Sequence, residues 1–379
     1  MLAYAVTAGV AMLVAFVTTP LVRRFARRHD IIAVPSDRKV HQDPTPQAGG
    51  VAILVGVLAA FLAALAFPHL RDLFTGSREL LGIAGAATLV TLIGAIDDHR
   101  ELRPGTKLAG EVVAGGLLVL GGVEVIYFWF PGLGTVALSP DLSALVTILW
   151  TIAVINAVNL IDGLDGLAAG VVVIASASLL VYAVSSTPLE ATPTELLMLV
   201  VAAACIGFLP HNFHPASIFM GDAGSMLLGL LLASGTVLGF SRTDEPRFVD
   251  VAGFVVPVLL PVLVLAIPLA DAAFTVFRRV KGGRSVFHGD KEHLHHRLFD
   301  MARNHRTAVG IIYLWSALVA SATVSLAILP GVPGRVTALA FTLALITSIL
   351  IVPRRLRRGA SLEKDFTNSA VAEVESASD

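Results

Sequence analysis

Four oxygen-bearing side chains, Asn156, Asn159, Asp162 and Asp165, follow one another at intervals of three in the stretch NAVNLIDGLDGL, at the end of an otherwise apolar run. Residues three apart share a helix face, and Gly163 and Gly166 let the backbone turn sharply beside them. Amides and carboxylates gathered in this way suit a hard cation or a nucleotide; the spacing and the missing terminal Glu set the stretch apart from an EF-hand loop. A second stretch, PHNFHPASIFMGDAGS, places Asp222 between Gly221 and the Gly224-Ser225 pair, just ahead of another apolar run. Asp222 there is either an oxygen ligand for a cation or an N-terminal helix cap, and the helix start offers free N–H groups to an anion. Asn212 and His214 of the same stretch read as caps and loop contacts.

Three further segments carry polar residues that a simple membrane anchor has no need of. In GAIDDHRELRPGTK the adjacent carboxylates Asp97 and Asp98 close an apolar run, and Lys107 follows ten residues after Asp97. Paired carboxylates in that position can take a proton, organise cationic groups or approach Mg²⁺, with Lys107 as a phosphate partner; the plainer reading is a helix stop with solvated charges. The loop PSDRKVHQDPTPQAGG packs Arg38, Lys39 and His41 together, a set suited to phosphate oxygens and equally expected of a positively charged anchor loop. In FHGDKEHLHHRL the residues His293, His295, His296 and Arg297 favour phosphate contact over zinc, since no Cys is near and the neighbouring carboxylates flank Lys291. Asp271, inside an apolar run, is either functional or paired with a nearby Arg.

The elements that position these groups are set by composition. The chain has 379 residues, of which 55% are hydrophobic and 15% charged, and its mean hydropathy is +0.80. Soluble dehydrogenases, nucleases and DNA-binding modules are excluded, and nucleic acid with them as a partner. Apolar runs long enough to cross roughly 30 Å of hydrocarbon recur at about 2–20, 48–67, 79–96, 107–122, 141–159, 164–184, 194–210, 223–240, 251–277, 307–329 and 335–353. The first lacks a preceding basic residue and a cleavage site, so it is expected to remain, with its N-terminus outside. Threading the spans from that start places 22 of the 27 Lys and Arg on the cytoplasmic side, none of them in mid-span. Every polar cluster then falls on that same side.

The fold expected is an all-α polytopic membrane protein of about eleven transmembrane helices, N-terminus outside and C-terminus cytoplasmic, with residues 1–353 as one catalytic domain and 354–379 as a disordered tail. The segment VEVIYFWFPGLGTV alternates around Pro131-Gly132 and is expected as a short extracytoplasmic β-hairpin with Tyr127, Phe128 and Trp129 at the interface. The single cysteine, Cys205, excludes an intramolecular disulfide and a Cys-rich zinc site.

The motifs DRKVHxxPxPxxGG, the DD pair, NxxNxxDGxDGL, NxxPAxxFMGDxGS and HxHHRL occur here in the order found in the polyprenyl-phosphate N-acetylhexosamine-1-phosphate transferases, which the chain resembles over about residues 1–353. The HLHHRL and RKVH elements are more similar to the enzymes that use UDP-N-acetylglucosamine than to the MurNAc-pentapeptide translocases. Gln47-Ala48 stands where many members have a basic residue and Leu, and His99 follows the DD pair. The resemblance implies transfer of GlcNAc-1-phosphate from UDP-GlcNAc to undecaprenyl or decaprenyl phosphate at the cytoplasmic face of the plasma (inner) membrane, with release of UMP. On this reading the catalytic carboxylates are Asp97, Asp98, Asp162 and Asp165, with Asp97 the candidate for deprotonating or orienting the lipid phosphate. Asp222 and Asn159 hold Mg²⁺, for which Mn²⁺ can substitute, while Asn156, Lys107, Arg38, Lys39, His41, His293, His295, His296 and Arg297 bind substrate. Membrane lipids surround the protein, and a homodimer is compatible with the sequence. The alternatives are MurNAc-pentapeptide transfer within the same family, an ion-coupled transporter, which would want its polar residues near the midplane, and a flippase or scaffold without chemistry.

Overall fold

A computed structural model describes residues 1–33, 44–130, 134–186, 191–241, 262–263, 305–329 and 331–351. The chain runs α1 (Leu2–Arg28), β1 (Ile32–Ala33), β2 (Thr45–Pro46), α2 (Gly50–Ala64), α3 (Pro68–Thr75), α4 (Glu79–Arg100), α5 (Pro104–Leu120), β3 (Tyr127–Phe130), β4 (Gly134–Ala137), α6 (Pro140–Ile161), α7 (Leu167–Ser186), α8 (Pro193–Asn212), α9 (Gly221–Ser241) and α10 (His305–Ile328), then α11 (Val332–Ile351). Among the described residues, eight helices are long and apolar enough to cross a membrane, or nine if α2 and α3 count as one bent span. The protein is a mostly helical, multi-pass membrane protein. All but two residues of the expected span at 251–277 lie outside the described residues, as do Asp271, the loop from Arg38 to His41, the segment from His293 to Arg297, and the tail.

Two expected spans differ in shape. The run at 48–67 is a 15-residue helix that turns by 110° into α3, because Pro68 opens a new helix and fixes its first turn. The run at 107–122 forms the 17-residue α5, which begins earlier, at Pro104. Proline occupies the same opening position in α6 and α8. β3 and β4 pair antiparallel, Tyr127 opposite Ala137 and Phe130 opposite Gly134.

Several hydroxyl groups inside the apolar helices are satisfied locally. Thr19, Thr91, Thr151 and Ser234 each donate to the carbonyl four residues back, at 2.6, 2.7, 2.8 and 2.8 Å, as a medium without water requires.

α9 is the axis of the bundle. It packs against α2, α4, α6, α7 and α8, and nearly all of its side chains from Ala223 to Leu238 are buried. Its start is gripped at backbone distance: a Cβ at Gly50 would lie 2.1 Å from the Gly224 nitrogen, and one at Gly94 would lie 2.5 Å from the Ala223 Cα. The chain from β2 into α2 runs alongside. Phe219 N donates to Pro46 O at 2.8 Å, Gly49 N to Phe219 O at 3.0 Å, and Gly50 N to Met220 O at 3.0 Å. β1 pairs with β2 in turn, Ala33 opposite Thr45, so the C-terminal end of α1 and the start of α9 share one end of the bundle.

Because the atoms opposing Gly50 belong to backbone, a methyl group there forces helices apart. Gly50→Ala is expected to lower the melting temperature in detergent by an amount equivalent to about 1–3 kcal/mol, whereas Gly85→Ala, with nothing within 4 Å of the new carbon, leaves it unchanged or slightly raised. Equal behaviour of the two variants would contradict the close approach of α2 to α9.

Candidate active site

Five helix ends meet where α4, α6 and α8 finish and α5 and α9 begin. Asp98, in the last turn of α4, accepts from Asp222 N at 2.8 Å and from Ala223 N at 3.2 Å. The first amides of α9 are therefore capped by a carboxylate 124 residues away. Of the two readings of Asp222 this sets aside the cap of its own helix, and the N–H groups at the α9 start, expected to be free for an anion, are taken by Asp98. Gly221 makes the approach feasible, with φ at +68° and a notional Cβ 2.3 Å from Asp98 Oδ2. Gln47 Nε2 donates to the Asp98 carbonyl at 3.0 Å, which ties the α2 side to the same turn.

With its backbone held in this way, the Asp222 side chain faces two other helices. Lys107 Nζ, near the start of α5, lies 2.5 Å from Asp222 Oδ2 and 3.3 Å from Asp97 Oδ2. Asp97 Oδ1 accepts from Leu102 N at 2.6 Å. From α6, Asn159 Nδ2 donates to Asp222 Oδ1 at 2.6 Å and to Ser225 Oγ at 2.8 Å. Asp97, Lys107, Asn159 and Asp222, drawn from four helices, thus form one connected cluster, with Asp98 supporting it from behind. Both amide hydrogens of Asn159 are occupied, which leaves its carbonyl as the group on offer. The set presented to a cation is oxygen only, two carboxylates and one amide carbonyl, and this fits a hard divalent ion such as Mg²⁺ better than a soft metal.

Asn156, one turn back on α6, is exposed and donates through Nδ2 to Glu111 Oε2 at 2.8 Å and to Ile152 O at 2.9 Å. Glu111, on α5 one turn after Lys107 and 1% exposed, is the residue the motif reading passed over. Its signal was present in the sequence, a lone carboxylate inside an apolar span, but counting only Lys and Arg along the spans does not register it.

Asp162 caps the end of α6 without a side-chain hydrogen bond among the described residues. Burial, with Asp222, Asp98 and Asp165 nearby, pushes its carboxyl well above the usual carboxylate range. Asp165 has a different setting. Its Oδ2 accepts from Ala216 N at 3.1 Å and lies 2.8 Å from His214 Nδ1, and its carbonyl lies 3.4 Å from His305 Nε2. The His214 and His305 rings stack at 4.3 Å and 11°, and Arg306 donates to the His214 carbonyl through Nε at 3.0 Å and Nη2 at 2.9 Å. Ligand atoms of Asp165, His214 and His305 lie within 4.8 Å of one another. Nearly parallel rings cannot both place one ion in plane with a ring nitrogen at about 2.0–2.1 Å, so the trio serves as a strut between the α6–α7 turn, the 212–218 loop and α10. Asn212 completes that strut, accepting from Gly166 N at 3.0 Å and donating to Ile218 O at 3.0 Å, and Tyr313 OH donates to the Gly166 carbonyl.

Asp162→Asn removes a charge that its surroundings disfavour. The variant is expected to melt higher than the unaltered protein in the absence of substrates, by roughly 1–3 °C, while losing activity. A lower melting temperature would place the ionised Asp162 in a stabilising contact instead.

A family model described as glycosyl transferase family 4 matches residues 80–240, the part of the chain that runs from α4 through α9. The decaprenyl-phosphate N-acetylglucosaminephosphotransferase of Mycolicibacterium smegmatis is 39% identical over 360 residues, covering 92% of this chain and 89% of that protein. A "probable undecaprenyl-phosphate N-acetylglucosaminyl 1-phosphate transferase" of Bacillus subtilis is 34% identical over 305 residues, 80% of each chain. The phospho-N-acetylmuramoyl-pentapeptide-transferase of Desulforudis audaxviator stands further off, 32% identical over 354 residues, covering 86% of this chain and 98% of that protein. With the ordered motifs, the near full-length similarity and the cluster of carboxylate, amide and lysine all in agreement, the chain belongs to glycosyl transferase family 4, among its polyprenyl-phosphate N-acetylhexosamine-1-phosphate transferases.

Proposed function

We propose that this protein transfers GlcNAc-1-phosphate from UDP-GlcNAc to a polyprenyl phosphate at the cytoplasmic face of the plasma membrane. The observation that carries this reading is the meeting of Asp97, Lys107, Asn159 and Asp222 at one end of the bundle. A soluble sugar nucleotide and a lipid headgroup can both reach such a place, whereas a transporter site belongs near the midplane. The same end carries the basic Arg23, Arg24, Arg27 and Arg28 of α1, which supports a cytoplasmic placement and leaves β3 and β4 on the outer side.

In the reaction, an oxygen of the lipid phosphate attacks the β-phosphorus of UDP-GlcNAc. The bond from that phosphorus to the oxygen bridging the two phosphates breaks, and UMP leaves. Phosphoryl transfer depends on positioning and charge neutralisation rather than on covalent chemistry by the protein. Mg²⁺, held by Asp222 and Asn159, would supply the neutralising charge on the diphosphate oxygens. Lys107 bridges Asp97 and Asp222 and is placed to turn its ammonium to a phosphate oxygen. Asp97 orients the lipid phosphate or takes its proton, a role confined to pH values below about neutral because a phosphate monoester has its second pKa near 6. Asp98 acts through the α9 backbone and fixes where Asp222 stands. Asp162 would ionise beside the cation site once positive charge offsets its acidic neighbours, and Asp165 holds the loop around it. Arg38, Lys39, His41, His293, His295, His296 and Arg297 contact the phosphates or the sugar.

The test is to incubate purified protein with radiolabelled UDP-GlcNAc, decaprenyl or undecaprenyl phosphate and Mg²⁺. Label is expected to pass into the lipid phase with one UMP released per transfer, and chelation of Mg²⁺ is expected to stop it. UDP-MurNAc-pentapeptide in a parallel arm should give little product; preferential use of it would reverse the donor assignment. Asp222→Asn is expected to fold normally and to lose at least about 100-fold in kcat. Near-normal turnover with unchanged Mg²⁺ dependence would remove Asp222 from the cation site.

A further inference from the structure

Asn156 gives both hydrogens of its amide to groups on the far side of its own side chain. One goes to Glu111 Oε2 at 2.8 Å and the other to the Ile152 carbonyl at 2.9 Å. The second bond fixes the orientation whatever the protonation of Glu111, since a backbone carbonyl accepts and cannot donate. Among the described residues nothing donates to the Asn156 Oδ1, and the residue is exposed. It stands three positions before Asn159, on the helix face that meets Asp222.

We propose that Glu111 is a positioning residue that makes Asn156 an acceptor-only group, so that Asn156 meets substrate through its carbonyl oxygen and takes a hydrogen bond from an N–H or O–H of the transferred N-acetylhexosamine. The inference rests on the transferase reading above. Ionised phosphate oxygens have no hydrogen to give, so the contact discriminates for the sugar and against a phosphate. Glu111 is suited to the task because it is buried and its α5 position, one turn from Lys107, ties the sugar contact to the helix that carries the phosphate partner. With a water in place of Glu111, the Ile152 carbonyl would still hold one amide hydrogen, but the other would be left for the substrate, and Asn156 would offer an N–H beside its oxygen.

A donor–acceptor swap tests this. Transfer by the unaltered protein in the assay above establishes the activity itself, so a silent wild type counts against the reading and not against the inference. Asn156→Asp sets two carboxylates against each other and is expected to lower kcat/KM for UDP-GlcNAc by about tenfold or more. Adding Glu111→Gln lets the Gln amide donate to one Asp oxygen and leaves the other as an acceptor. The double variant is expected to recover about tenfold over Asn156→Asp, with the KM for polyprenyl phosphate and the Mg²⁺ concentration for half activity unchanged. A folded double variant no better than Asn156→Asp overturns the proposal, as does recovery that appears only as altered Mg²⁺ dependence. Should the double variant not fold, the comparison of Glu111→Gln with Glu111→Leu decides. Gln still offers an oxygen to Nδ2 and should lose less activity than Leu, with the difference in KM for UDP-GlcNAc; equal loss in both overturns the assignment.

Discussion

Everything at this site depends on the bond between the Asp98 carboxylate and the first amides of α9. A helix start in a medium poor in water needs a partner for its amides, and here the partner comes from α4. One interaction therefore fixes the height of α9 against α4, and with it the position of Asp222 relative to Asp97. Gly221, Gly94 and Gly50 give the room that this approach requires. Lys107 and Asn159 then find Asp222 from α5 and α6 without further adjustment. The cluster is thus a consequence of how the helix ends are capped, and Asp98, which creates it, acts through backbone amides.

The charges explain what such a cluster is for. Asp97, Asp98, Asp162 and Asp222 are gathered close together, and among the described residues Lys107 is the cation bonded to two of them, Asp97 and Asp222. Like charges brought together at the edge of a low-dielectric bundle raise one another's energy. A diphosphate does not enter that field unless positive charge accompanies it. Among the described residues Lys107, within hydrogen-bond reach of both Asp97 and Asp222, offsets part of that repulsion.

Much of the site could be read before any coordinates, because polar residues stand out against apolar spans and the spans assign each to an end of the bundle. Asn159, Asp222, Asp97 and Lys107 were legible for that reason, and they do converge. The role of Asp98 was not, since a cap that reaches across 124 residues leaves no local pattern. Nor was the pairing of His214 with His305, which lie in different elements and meet through stacking. The bend after α2 escaped notice because hydropathy continues through Ala66 and Phe67 while the helix does not. Glu111 left no mark on the charge asymmetry that orients the spans, because that asymmetry lies in the Lys and Arg residues and a buried acid does not alter it.

The segment from β2 to α2 gives the fold its final functional constraint. Its backbone bonds to Ile31 on one side and to Phe219 and Met220 on the other, and Gln47 reaches the Asp98 carbonyl. β1 and β2 are also the two ends of the stretch that holds Arg38, Lys39 and His41. The ends of that basic stretch are therefore pinned to the residues immediately before Asp222. The frame that holds the start of α9, and Asp222 with it, thus extends through β2 to β1. Small residues at 48–50 are what permit this, because the frame runs through backbone atoms and leaves no space for side chains between the strand and the start of α9.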